Sequence, residues 1–148
     1  MKTQVFRGGG TAIVTPIGAD GQVNYEVFDA LIEFQIANGT DAIIVCGTTG
    51  EASSMADTEH LAVIERCINT VAGRVPVVAG TGSNDNQHGV NLSREPGVLG
   101  GNALSQVTPH FNTTNHSGPI QKCLSVPNAV QINTIFYKLP SPTANITT

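Results

Sequence analysis

The chain has 148 residues, enough for one domain with a buried core or for a piece of one. Hydrophobic residues make up 40% and charged residues 12%, a globular composition rather than that of a disordered segment. The formal net charge of -4, with Lys and Arg scattered singly, argues against nucleic acid as a partner, and apolar runs such as 42–46 are far too short to span a membrane.

In chain order, the first β-rich run is 11–15. Phe28, Leu31, Ile32 and Ile36 then keep an apolar stripe at helical spacing, opened by Asn24 as an N-cap and stopped at Asn38 and Gly39. A second run, 42–46, leads into a helix marked by Leu61, Ile64, Ile68 and Val71, with Asp57 and Glu59 in its first turn and Gly73 after its last. The third run is 75–79, and the helix expected over 87–99 should kink or end near Arg94. The cause is Pro96, since an interior proline loses a hydrogen bond and costs about 3 kcal/mol. After a fourth run, 103–107, a helix expected over 117–129 is interrupted by Pro127, and a fifth run, 132–137, ends the series. Strand, helix and strand alternating in this way predict right-handed βαβ units, a parallel sheet and an α/β fold.

Each run ends in a polar loop: Thr15-Pro16, then 47–51, 80–84, 108–112 and 138–141. In a parallel α/β fold these loops share the face at the carboxyl ends of the strands, where ligands bind, and their small residues point to an anionic small molecule. The sharpest is Gly47, Thr48, Thr49, Gly50 and Glu51. Its glycines let a backbone approach a ligand, and its two hydroxyls with N–H groups ahead of a helix suit a carboxylate or phosphate. A tight βα turn without a ligand is the alternative. No Gly-Lys-Ser/Thr follows, and Gly80-Thr81-Gly82 lacks the third glycine of a dinucleotide fingerprint, so nucleotides are disfavoured. His60 and His88 are expected on helix surfaces. Cys46, Cys67 and Cys123 form neither a disulfide framework nor a metal motif and read as reduced structural thiols; no metal or cofactor is expected. The amino terminus has no secretory apolar core, so the chain reads as cytoplasmic.

The succession Thr-Ala-Ile-Val-Thr-Pro (11–16), Cys-Gly-Thr-Thr-Gly-Glu (46–51), Glu-His (59–60), Ala-Gly-Thr-Gly-Ser-Asn (79–84) and Val-Thr-Pro (107–109) resembles the dihydrodipicolinate synthase family of pyruvate-dependent class I aldolases. The match is strong to residue 94 and looser beyond. It implies a single partial-barrel domain over 1–148, about the first five βα units of a (β/α)8 TIM barrel, ending before the sixth-strand lysine that forms the family's pyruvate Schiff base. The implied activity is a lyase condensing pyruvate with aspartate semialdehyde in lysine biosynthesis, as a homo-oligomer.

By the same resemblance, Thr48 and Thr49 would hold the pyruvate carboxylate, and Thr48 and Tyr137 would relay protons as general acid/base. The family's second relay tyrosine falls on Phe111 and the aromatic beside it on His110. The arginine that binds the semialdehyde carboxylate falls on Pro142 in Pro140-Ser141-Pro142-Thr143, and the asparagine after the tyrosine is Lys138. Lys138 reads as solvated, because strand residues alternate in direction and Tyr137 pointing inward sends it outward; a displaced imine-forming lysine is the alternative. The chain as given is therefore expected to be impaired or inactive. Two other readings stay open: a non-catalytic half-barrel that pairs with itself or with an intact synthase, and a carboxylate-binding module without chemistry.

Overall fold

A computed structural model describes residues 4–83, 85–107 and 124–137. Five strands, β1 (Gly10–Ala12), β2 (Ala42–Val45), β3 (Val77–Gly80), β4 (Ala103–Val107) and β5 (Asn133–Tyr137), form one parallel sheet in the order β1-β2-β3-β4-β5. Helices α1 (Tyr25–Ala37), α2 (Asp57–Val71) and α3 (Asn86–Val98) fill the first three crossovers, and residues 124–129 are helical before β5. A doubly wound sheet reverses its strand order, and this one never does. Right-handed crossovers in an unreversed order place every helix on one face, which is the wall of a partial barrel.

The packing agrees. Ile43, Val45, Val77, Ala79 and Leu104 alternate onto one side of the sheet and share a buried cluster with Phe28 and Ile32 of α1, Val63, Ile64 and Cys67 of α2 and Val90 of α3. The helix expected after Asn24 starts there because the Asn24 side chain accepts the Val27 N–H at 3.1 Å, and it ends as Asn38 caps it and Gly39 turns to φ 83°. Arg66 and Thr70 of α2 hold Asp29 of α1, and Arg74 holds Glu33, so one flank of α1 is fixed by charge. The opposite flank leaves Val27 and Phe34 exposed.

Strand boundaries shift for local reasons. β2 stops at Val45 because Cys46 turns to φ 53°, and β3 starts after Pro76, which has no N–H to pair. The expectation that α3 kinks or ends near Arg94 is wrong in its endpoint: α3 runs on to Val98 with Pro96 inside it. The missing N–H deprives only the Leu92 carbonyl, helical bonding reaches as far as Leu99 N–H to Glu95 O (2.9 Å), and the proline ring is fully buried, so packing outweighs the lost bond. Helical structure likewise continues through Pro127, beside buried Val126. The rest of the helix expected over 117–129 lies outside the described residues.

Among the described residues neither the outer edge of β1 nor that of β5 has a ladder partner, and Val14 and Ile17 beside β1 are 47% and 49% exposed. Among the described residues no helix is long and apolar enough to cross a membrane.

Candidate functional site

The carboxyl ends of β1, β2 and β3 meet at the turn that follows β2. Cys46 leaves the strand in the left-handed region, and the chain then closes on itself through Gly50 N–H to Gly47 O and Glu51 N–H to Thr48 O, both 3.1 Å. Glu51, also left-handed at φ 55°, directs the chain into a short 3-10 turn, Ala52–Ser54, ahead of α2. Thr48 and Thr49 stand exposed at the crest, and among the described residues their N–H groups have no protein acceptor. Two hydroxyls and two N–H groups facing solvent at a strand's carboxyl end can accept an anionic oxygen without breaking a bond of the fold.

The turn is gripped from both sides. The buried Thr15 hydroxyl, after β1, donates to Gly50 O at 2.9 Å. On the other side Gly80 ends β3 so close that a Cβ there would lie 2.1 Å from Cys46 O and 2.9 Å from Gly47 N. Burial pushes the Cys46 thiol up, and that of Cys67 up to about 12, so neither sulfur is a nucleophile near neutrality.

His60 was expected on a helix surface, and the structure buries it: 4% of the residue is exposed, and its Nε2–H donates to Gly80 O at 2.8 Å. It sits one turn before Ile64 and two before Cys67, on the apolar stripe of α2, and that periodicity was the signal the sequence reading passed over. His88 does lie at the surface, with Nδ1 at 2.9 Å from Ser83 Oγ and Nε2 at 2.8 Å from Asp57 Oδ1. Thr81, Ser93 and Gln106 form a buried polar knot joining β3, α3 and β4, with Gln106 Nε2 donating to Thr81 Oγ1 at 2.6 Å.

Burial lowers the His60 pKa below its ordinary 6.5, against the opposing bond to Gly80. Between the lowered native value and 6.5 the unfolded chain binds a proton that the native chain does not, so stability rises with pH in that window and is lost as pH falls below 6.5. The urea midpoint is expected to fall on acidification from about pH 7.5 to about pH 5. A His60→Gln variant is expected to lose that dependence, and an unchanged acid limb in the variant counts against the assignment.

Of the residues singled out from the sequence, Thr48 and Thr49 share the turn just described, and Tyr137 ends β5 in register with Val107, at the same carboxyl edge. β3 and β4 lie between them in the sheet. Lys138, Phe111, His110, Cys123 and residues 140–143 lie outside the described residues.

The model of the dihydrodipicolinate synthetase family matches residues 5–147. A 4-hydroxy-tetrahydrodipicolinate synthase from Caldicellulosiruptor saccharolyticus is 47% identical over 139 residues, covering 94% of this chain and 47% of its own length. The crystal structure of dihydrodipicolinate synthase from Aquifex aeolicus superposes with a TM-score of 0.88 at 40% identity, over 93% of this chain and 47% of that one. The chloride-inhibited dihydrodipicolinate synthase from Acinetobacter baumannii, in complex with pyruvate, gives a TM-score of 0.88 at 36% identity, over 93% and 47%. The chain thus spans about half the length of the curated relatives it matches.

Proposed function

Because the chain belongs to the dihydrodipicolinate synthetase family, we propose that the 47–51 turn is the pyruvate-carboxylate site of a Schiff-base lyase that condenses pyruvate with aspartate semialdehyde in lysine biosynthesis, in the cytoplasm. The observation that carries the reading is the exposed pair Thr48–Thr49, with free N–H groups, on a turn clamped between β1 and β3 at the carboxyl edge of a barrel wall. In this reading both threonines hold the carboxylate, and the Thr48 hydroxyl passes protons to and from the reacting carbon with Tyr137. Pyruvate complexed with the Acinetobacter baumannii relative supports the ligand class.

The family's imine-forming lysine stands on the sixth strand, and among the described residues the sheet has five. The described residues include no lysine, so in this reading the site they form binds pyruvate without forming the imine that turns it into a nucleophile. Intact-mass analysis with pyruvate and borohydride is expected to show no adduct. A reduced adduct mapped to Lys138 would show that this chain forms the imine without a sixth strand and would overturn that part of the proposal.

A second reading, a half-barrel that pairs with itself, is favoured by the two sheet edges that have no ladder partner among the described residues and by exposed Val14, Ile17, Val27 and Phe34 around β1. Light scattering on the eluting chain is expected to give at least a dimer's mass; a monodisperse monomer with protected β1 and β5 amides contradicts it.

A further inference from the structure

We infer that His60 is a positioning residue for the Thr48–Thr49 turn: by donating its ring N–H to Gly80 O, it holds the end of β3 against the backbone of Cys46 and Gly47 and so fixes where the two hydroxyls stand. The inference rests on reading that turn as a carboxylate site.

Three observations carry it. The bond is made in the interior, between a ring that is 4% exposed and a carbonyl at the last residue of β3, where no water replaces a lost donor. Gly80 in turn touches the backbone of the turn, close enough that even a methyl group would collide with Cys46 O at 2.1 Å and Cys46 C at 2.6 Å. The main chain of α2 at the same position also meets the residue that leads into the turn, since the Cys46 thiol lies 3.8 Å from the His60 backbone O, in position to donate to it. Cys46 is a non-glycine residue at φ 53°, and such a conformation persists only where the surroundings hold it. An aliphatic side chain would fill the same space on α2 and leave the Gly80 carbonyl without a donor. A histidine serving only as core filler would tolerate that exchange.

The test compares His60→Leu with His60→Gln in the whole 148-residue chain, reading amide hydrogen exchange and pyruvate affinity. In His60→Leu the Gly50 and Glu51 amides, which close the turn, are expected to exchange at least about tenfold faster, while α1 and the β1–β2 ladder change far less. Pyruvate affinity is expected to fall by a similar factor, and His60→Gln, whose amide can donate to Gly80 O, to recover most of both. If the leucine variant does not fold, His60→Asn, one methylene shorter than glutamine, replaces it with the same expectations. Unchanged turn amides, a uniform rise shared with α1, or no rescue by glutamine overturns the inference. Should the wild-type chain bind no pyruvate while the turn amides respond as expected, the carboxylate reading fails and the positioning role stands.

Discussion

Gly80→Ala is expected to be the most disruptive single-methyl change in the described structure. The added Cβ would sit 2.1 Å from Cys46 O, 2.6 Å from Cys46 C and 2.9 Å from Gly47 N, all of them backbone atoms. A flexible side chain could move aside; here β3 must separate from the turn, losing the His60 bond and the grip on Thr48 and Thr49 together. Overpacking a core typically costs about 1–3 kcal/mol and more where the neighbours are rigid, so a loss of about 3 kcal/mol or more is expected, a large part of a small domain's stability. Urea denaturation measures it. Gly73→Ala is a useful contrast: the glycine has open space around it at φ 73°, so the strain there is conformational alone. A Gly80→Ala chain as stable as the wild type would mean that the turn is not packed against β3 as described.

The second large effect is on ligand binding. Thr48→Val and Thr49→Val each exchange a hydroxyl for a methyl of the same size at an exposed position, so folding stability is expected to change by no more than about 0.5 kcal/mol. A hydrogen bond to a charged group contributes about 1.5–3 kcal/mol, which places the expected loss of pyruvate affinity at roughly ten- to a hundredfold for each variant. Calorimetric titration with pyruvate reads it directly. Equal affinity in both variants would remove the two hydroxyls from the site and leave only backbone N–H groups to hold the anion.

Much of the fold could be read from the sequence because its signals are local. Asn24 caps α1 as its residue type dictates, the stripe of Ile64, Ile68 and Val71 gives α2, and five short apolar runs give five parallel strands in order. The errors arose where tertiary packing overrode a local rule. Pro96 was read as a helix end, yet burial of its ring keeps α3 intact for two further residues. His60 is expected on a helix surface, although its position on the α2 stripe places it inward; the acceptor that makes its burial tolerable, Gly80 O, is twenty residues away in sequence.

The candidate site divides the same way. Thr48 and Thr49 could be read as an anion-binding crest from the glycines around them. What holds the crest, Thr15 on Gly50 O and Gly80 beneath Cys46, is long-range contact that no spacing along the chain reveals. Tyr137 was placed by resemblance alone; it ends β5 in register with Val107.

The most direct test of the account is to map pyruvate onto the chain by following backbone amide resonances during a titration. The account expects the shifts to centre on Thr48, Thr49 and Gly50, with weaker ones at Thr15 and Gly80, which touch the turn. Saturable binding that perturbs other amides and leaves Thr48 and Thr49 unmoved, or no binding at all, would contradict it.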